Sequence, residues 1–242
     1  MFHLFHTNDF HSRLTPGGAR GIREAVEAVA DAPCLLLDAG DAVKAGNLGV
    51  SPGGEPIFET MNALGYAAMT VGNRETHPSR AIFAAKIGGA TFPILCANVR
   101  ARRGGELPLV PHIRVERGGC RIGVFGVTVP MVTERSAARV AWDMVFEDPV
   151  RVARDQVAEL RPQCDVLFAM THVGHAVDRR IAESVPGIDC IVSGHSHLVF
   201  PEPVVVAGIP ILQAGSHGRY VGHATWDEGL ARYELIELET KA

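Results

Sequence analysis

The chain has 242 residues, of which 47% are hydrophobic and 21% charged, a balance typical of a globular protein with a substantial core. Its formal net charge of -4 lacks the basic surplus of a general nucleic-acid binder, so we expect no nucleic-acid partner. No apolar stretch approaches the ~20 residues of a membrane-spanning helix, so we expect no membrane association either.

Cysteine usage and the start of the chain bear on the cellular compartment. The five cysteines are odd in number and widely spaced, which favours small buried thiols over disulfides. Met1 runs directly into a strand pattern, without the basic and apolar regions of a secretory leader. We therefore expect a cytoplasmic protein.

The first half of the chain alternates strand and helix patterns. Apolar runs predict strands at residues 2–6, 34–38, 67–71 and 92–97. Alanine-rich amphipathic segments between them predict helices at residues 22–30, 56–64 and 79–87. This alternation is typical of βαβ units that build a parallel sheet.

The second half changes character towards its end. A hairpin is predicted from strands 112–116 and 120–127, followed by a helix at 149–160, a strand at 166–170, a helix near 179–184 and a strand at 190–192. The tail predicts an antiparallel meander of strands at 204–206, 211–213, 220–226 and 232–238. We therefore expect one α/β domain over residues 1–242, whose parallel and antiparallel halves form two facing sheets with helices outside.

Metal-binding side chains follow five of the predicted strands. Asp9 and His11 lie two residues apart after the first strand, and His195 and His197 repeat this spacing near the end. Three further donors also stand at the ends of apolar runs, namely Asp41, Asn73 and His172. Because ligands gather at the carboxyl ends of strands in open α/β sheets, we expect these seven side chains to meet. Nitrogen and oxygen donors without thiolate suit two divalent ions of Mn, Zn, Fe or Ni better than Ca.

Several ordered motifs resemble one known family. The run His6-Thr7-Asn8-Asp9-Phe10-His11-Ser12-Arg13-Leu14 is similar to the opening of the 5′-nucleotidase branch of the calcineurin-like metallophosphoesterases. Segments 37–41, 62–73, 193–197 and 213–220 also resemble that branch, so the resemblance covers nearly the whole chain. It implies two packed mixed β-sheets flanked by helices.

The resemblance also implies roles for individual residues. It assigns Asp9, His11 and His197 to one metal ion, Asn73, His172 and His195 to a second, and Asp41 to a bridge between them. Asn98 matches a supporting or substrate-side asparagine of the family. His217 lies in a resembling segment and either faces the metal centre as a substrate-binding residue or points away from it. The implied chemistry is attack of a metal-bound hydroxide on the phosphorus of a small phosphate ester, such as a nucleotide.

The third motif departs from the family pattern. The family has Gly-Asn-His-Glu where this chain has Gly72-Asn73-Arg74-Glu75, and its His-x-x-Asp pair becomes Arg74-x-x-His77. Arginine binds phosphate oxygens but stays protonated, so Arg74 cannot serve as a general acid. His77 titrates near neutral pH and is the alternative proton donor, or else a surface residue at the entry to a helix.

A second departure concerns length. Larger members of the branch carry a C-terminal domain that binds the nucleobase, and we expect this chain to lack it because the sequence ends at Ala242. The expected function is a dinuclear metal-dependent phosphomonoesterase resembling 5′-nucleotidases. The alternatives are a phosphodiesterase, or a metal-binding module in which Arg74 marks the loss of efficient catalysis.

Overall fold

The structure is a computed structural model that describes residues 1–51 and 53–240. Its strands are β1 (Phe2–Thr7), β2 (Cys34–Asp38), β3 (Ala68–Thr70), β4 (Ile94–Leu95), β5 (Val99–Ala101), β6 (His112–Arg117), β7 (Cys120–Thr128), β8 (Met144–Phe146), β9 (Val166–His172), β10 (Cys190–Ser193), β11 (Val204–Val206), β12 (Ile209–Leu212), β13 (Tyr220–Trp226) and β14 (Leu230–Glu237). Its helices are α1 (Pro16–Glu27), α2 (Ile57–Leu64), α3 (Arg80–Ile87), α4 (Pro149–Leu160) and α5 (His175–Ser184). Short 3₁₀ turns occur at Ala137–Ala141 and Arg161–Gln163.

Two six-stranded mixed sheets form the centre of the molecule. The first has the order β14-β13-β1-β2-β3-β4, and the second has the order β11-β12-β10-β9-β7-β6. Strands β1 to β4 are parallel, and so are β7, β9, β10 and β12. Strands β5 and β8 form a separate antiparallel pair.

Alternation along the strands divides the core into three layers. In β1, Phe2 and Leu4 face the second sheet, where Phe168 and Met170 of β9 join the same buried cluster. Phe5 points the other way and packs with residues of α1, α2 and α3. The outer face of the second sheet is covered in the same manner by α4 and α5. The predicted arrangement of two packed mixed sheets flanked by helices is therefore confirmed.

The predicted division into a parallel and an antiparallel half is wrong. The tail does not form one meander, because β11 and β12 join the second sheet while β13 and β14 join the first. Val192 of β10 pairs with Leu212 in parallel, whereas His6 of β1 pairs with Gly222 antiparallel. Both sheets are consequently mixed, and the C-terminal strands contribute to both of them.

Several boundaries also differ from the predictions. Helix α1 begins at Pro16, because the Thr15 hydroxyl accepts a hydrogen bond from Gly18 N and caps the first turn. Strand β4 spans only Ile94–Leu95, and the short pair β5–β8 was not predicted. Among the described residues, no helix has the length and apolarity needed to cross a membrane.

Candidate metal centre

The loops that follow β1, β2, β3, β9 and β10 converge at one edge of the two sheets. Within each sheet these strands run parallel, so their carboxyl ends lie side by side. Main-chain hydrogen bonds join the loops directly, from His11 N to Asp41 O at 2.9 Å and from Asp9 N to Gly40 O at 2.9 Å. The main chain therefore holds the loop after β1 against the loop after β2 independently of any bound ligand.

The first group of donors surrounds one oxygen of Asp9. Its Oδ1 atom lies 3.1 Å from His197 Nε2 and 3.6 Å from His11 Nε2, and the two imidazole nitrogens are 3.1 Å apart. This oxygen is buried and has no hydrogen-bond partner among the described residues. A carboxylate oxygen without a donor, faced by two imidazole nitrogens, is the environment that a cation satisfies.

The second group shares Asp9 and adds donors from three other loops. His172 Nε2 lies 3.4 Å from Asp41 Oδ1 and 3.3 Å from Asn73 Oδ1. The carboxylates of Asp9 and Asp41 and the imidazole of His172 all lie within 4.8 Å of one another. The ring of His195 stands 5.1 Å from that of His172. The seven donors predicted from the sequence thus lie in one cluster.

Hydrogen bonds fix which atom of each donor faces the cluster. His172 Nδ1 donates to Ala39 O at 2.7 Å, so Nδ1 carries a proton and Nε2 is the ring nitrogen that faces the cluster. Asp9 Oδ2 accepts from Asn8 Nδ2 at 2.8 Å and from His195 N at 2.9 Å, which leaves Oδ1 for the cluster. Both side chains are therefore oriented as metal ligands require.

The pKa values of His172 and Asp9 are both shifted within this donor cluster. Burial alone would lower the pKa of His172, but the neighbouring Asp41 and Asp9 carboxylates raise it to about 10. Burial would raise the pKa of Asp9, yet the facing imidazoles of His11 and His197 hold it below its ordinary value. The buried carboxylates of Asp9 and Asp41 are therefore stabilised by positive charge placed between the donor side chains.

The backbone at the donors is unusual. Nine non-glycine residues in the described chain have positive φ angles, and five of them are predicted metal ligands: Asp9, His11, Asp41, His195 and His197. Left-handed conformations cost L-residues of the order of 1 kcal/mol, and they concentrate at functional sites. The surrounding structure holds the donors in conformations that these residues avoid elsewhere.

Three supporting residues were not predicted. Glu75 is fully buried and accepts from Gly72 N at 2.7 Å, Asp41 N at 3.0 Å and Val43 N at 3.2 Å, so it joins the loops after β2 and β3. Asn8 orients Asp9 and bonds the main chain of Ala214 at 2.9 Å. Asn47 Oδ1 accepts from Asn73 Nδ2 at 3.0 Å. Their only sequence signal is proximity to a ligand, which does not single them out from other polar loop residues.

Arg74 lies beside Asp41 in the donor cluster, whereas His77 is hydrogen-bonded at the start of α3. The guanidinium of Arg74 is 3.8 Å from Asp41 Oδ2 and donates to Lys44 O at 3.1 Å. His77 Nδ1 accepts from Ser79 N at 2.9 Å, where α3 begins. Burial and the charge of Lys86 lower the pKa of His77, so its ring is neutral near pH 7.

The two residues with suggested substrate contacts lie in different settings. Asn98 is fully buried; its amide donates to Thr128 O at 2.8 Å and its Oδ1 accepts from Thr128 N at 2.8 Å. The ring of His217 stands 5.1 Å from that of His11 and 5.8 Å from that of His197. Of this pair, His217 borders the metal centre directly.

Comparison with known proteins agrees with this geometry. A sequence profile described as Calcineurin-like phosphoesterase matches residues 2–199. The chain belongs to this family. The donor cluster lies within the matched residues.

Its relatives within the family include nucleotidases. Protein UshA of Yersinia enterocolitica and the 5′-nucleotidase of Vibrio vulnificus are each 29% identical to the chain and match 98% of it. The chain spans about half of these relatives, 52% of each. The crystal structure of a 5′-nucleotidase precursor from Thermus thermophilus matches 98% of the chain and 54% of its own, with 28% identity and a TM-score of 0.78.

Proposed function

We propose that the chain is a dinuclear metal-dependent phosphomonoesterase. Asp9, His11 and His197 would hold one ion, Asn73, His172 and His195 would hold the other, and Asp41 would contribute to both. The observation that carries the proposal is that donors from five loops meet in one cluster, which contains Asp9 Oδ1, a buried oxygen without a hydrogen-bond partner in the described chain. The mixed nitrogen and oxygen donors fit Mn, Zn, Fe or Ni.

The chain's own residues orient the metals and the substrate. When bound, two divalent ions activate a water as nucleophile and polarise the phosphoryl oxygens. Arg74, beside the Asp41 carboxylate, binds the equatorial phosphoryl oxygens and stabilises charge that grows there. His217, whose ring stands beside those of His11 and His197, is the second residue that we propose to contact the substrate. Asn98 acts from a distance, by fixing the strand ends that it joins.

The proposed substrates are small phosphate monoesters, including nucleotides. Two observations support this class: the family description and the names of the relatives, which include 5′-nucleotidases from two distant groups of organisms. We propose a cytoplasmic location for the activity, in keeping with the unpaired cysteines of the described chain.

An assay of metal dependence tests the proposal. Protein supplied with Mn²⁺ should hydrolyse p-nitrophenyl phosphate, should act more slowly on bis-p-nitrophenyl phosphate, and should lose activity in EDTA. Asp41→Ala should remove both ions, because one carboxylate serves both, and metal analysis should show occupancy falling from about two ions to none. The exposed Asp155→Ala, on α4, serves as control and should retain both.

The results separate three functions. Full metal occupancy in Asp41→Ala would refute the bridge. Faster hydrolysis of the diester would favour a phosphodiesterase. Two bound ions without turnover of either ester would favour the metal-binding module, for which the replacement of the family's histidine by Arg74 is the specific support.

A further inference from the structure

A cavity of about 420 Å³ opens beside the first group of metal donors. His197, a proposed ligand, forms part of its wall, so the cavity adjoins the metal centre directly. The remaining polar wall comes from two other parts of the chain, Arg13 after β1 and residues near β13 and β14: Ser216, His217, Arg219 and Thr240. None of the roles assigned above involves Arg13 or Arg219.

The described wall of the cavity is positively charged. Two arginines line it, and none of the lining residues among those that the structure describes is a carboxylate. Within residues 1–51 and 53–240, the Arg13 guanidinium has neither a hydrogen bond nor an ion pair. Arg219 stacks over the ring of Tyr220 at 5.0 Å, and its Nε lies 3.8 Å from Oε1 of the exposed Glu237. A concave wall with two cations and no anion favours a negatively charged ligand.

The main chain of the wall is held in place. Ser12 N donates to Ala42 O at 2.7 Å and Arg13 N to Phe10 O at 2.9 Å, which fixes the loop that carries Arg13. His217 N donates to Asp9 O at 2.8 Å, which ties the opposite wall to the metal centre. The cavity is therefore built into the fold, and a ligand pays little to organise its walls.

We propose that this cavity, with Arg13 as its principal contact, is an anion subsite for a second negative group on the alcohol part of the substrate. The proposal rests on the proposed function, because it takes the ester phosphate to lie at the metal ions. His197 borders both places, so an ester phosphate at the ions has its alcohol part next to the cavity. The favoured substrates are phosphate monoesters that carry a carboxylate or another phosphate a few bonds from the ester.

A matched pair of ligands tests the subsite. The probes are the phosphonate isosteres of 3-phosphoglycerate and of glycerol 3-phosphate, in which a methylene group replaces the ester oxygen and prevents turnover. They differ at one end, where the first has a carboxylate and the second a hydroxymethyl group. Calorimetric titration of the Mn²⁺-loaded protein should give a Kd about 5-fold lower for the carboxylate, the scale of one partly exposed ion pair.

Two arginine variants locate the effect. Arg13→Gln should abolish the preference between the two ligands. Arg23→Gln removes the same charge from the exposed side of α1, away from the cavity wall, and should keep the preference. Equal Kd values in the wild type would overturn the proposal. So would a preference that survives in Arg13→Gln, since the ions themselves would then bind the carboxylate.

The same preparations distinguish this proposal from the proposed function. Turnover of p-nitrophenyl phosphate is measured in parallel with the titrations. A preference that depends on Arg13, found in protein without turnover, would support the subsite and refute the phosphatase activity. Turnover without any preference would support the activity and refute the subsite.

Discussion

In Asp9 and in His172, one polar atom is hydrogen-bonded by the protein and the other faces the donor cluster. Asp9 Oδ2 and His172 Nδ1 bond main-chain or amide groups, whereas Asp9 Oδ1 and His172 Nε2 face the cluster. Because the held atom fixes the rotation of the side chain, ligand geometry is determined before a metal arrives. At this scale, activity depends on neighbours of the ligands as well as on the ligands.

Asn47 is such a neighbour, and its replacement should weaken the second metal site. It accepts from Asn73 Nδ2, which turns Asn73 Oδ1 towards His172. We expect Asn47→Ala to lower the Mn²⁺ affinity of that site about 10-fold, measured by calorimetry. Asn47→Asp keeps an acceptor and should restore most of the affinity. Equal losses in both variants would show that the loop, rather than the hydrogen bond, matters.

Arg74 should control the choice between leaving groups. Aryl oxides leave without protonation, whereas alkoxides need an acid, which arginine cannot supply. We expect Arg74→His to raise the ratio of kcat/KM for glycerol 3-phosphate to that for p-nitrophenyl phosphate by about 10-fold, a fraction of full general-acid catalysis.

His77→Ala provides the comparison for that experiment. The Nδ1 atom of His77 is committed to Ser79 N at the start of α3, so we expect the ratio to stay unchanged while the free energy of unfolding falls by about 1 kcal/mol. A selective loss on glycerol 3-phosphate would identify His77 as the proton donor and contradict this expectation.

At the scale of elements, the loop of residues 43–51 forms one wall of the metal centre without regular structure. Glu55 accepts from Lys44 N at 2.9 Å and from Ser51 Oγ at 2.6 Å, and Lys86 of α3 donates to Gly46 O at 2.8 Å. Glu55 is 6% exposed and Lys86 is 3% exposed, so both are removed from water, and these hydrogen bonds satisfy their charged groups. The loop therefore has a defined position that serves Asn73 and Arg74.

Close packing between loops makes Gly194 irreplaceable. A Cβ atom there would lie 2.7 Å from Ala39 O and 2.8 Å from His172 Nδ1, the two atoms of the hydrogen bond that orients His172. We expect Gly194→Ala to lower Mn²⁺ affinity at the second site by about 10- to 100-fold in calorimetric titrations. Gly53→Ala is the control, because a Cβ atom there meets no other described part of the chain within 4 Å. Unchanged affinity in Gly194→Ala would show that the sheets adjust.

Periodicity was a good guide to the elements with long apolar patterns. The hairpin β6–β7 and helix α4 lie where the sequence predicts them, because burial on one face imposes a regular spacing. The sequence did not reveal that β12 pairs with β10 while β13 pairs with β1, since partner choice depends on contacts across the whole chain. The clustering of the seven candidate donors was predictable from strand exits, but Asn47 and Glu75 act through distant partners that no local pattern marks.

At the scale of the molecule, Asp178 links helix α5 to the ends of two strands. It is fully buried, and its carboxylate accepts from Thr171 Oγ1 and Ser193 Oγ, each at 2.6 Å. Burial nonetheless raises the pKa of Asp178 to about 7. The native state therefore keeps a proton that the unfolded chain releases near pH 4.

This proton makes the stability of the fold depend on pH. As pH rises from 4 through 7, the free energy of unfolding should fall, by at most ~4 kcal/mol for a shift of about three pKa units. Urea unfolding at pH 5 and pH 8 in excess EDTA measures the fall without metal binding. Asp178→Asn should show a smaller fall than wild type, and the exposed Asp155→Asn should match wild type. Equal falls in all three proteins would exclude Asp178 as the cause.

Because five proposed ligands have a left-handed backbone, selection for stability and selection for metal binding favour different residues at these positions. Glycine and asparagine tolerate this conformation better than histidine does, so replacing these histidines would relax the metal-free protein. Selection for expression yield or heat resistance in metal-poor medium would therefore reward variants that have lost the ligands. A library screened only for folded protein would drift away from hydrolysis, and saturating Mn²⁺ during the screen should reverse that drift.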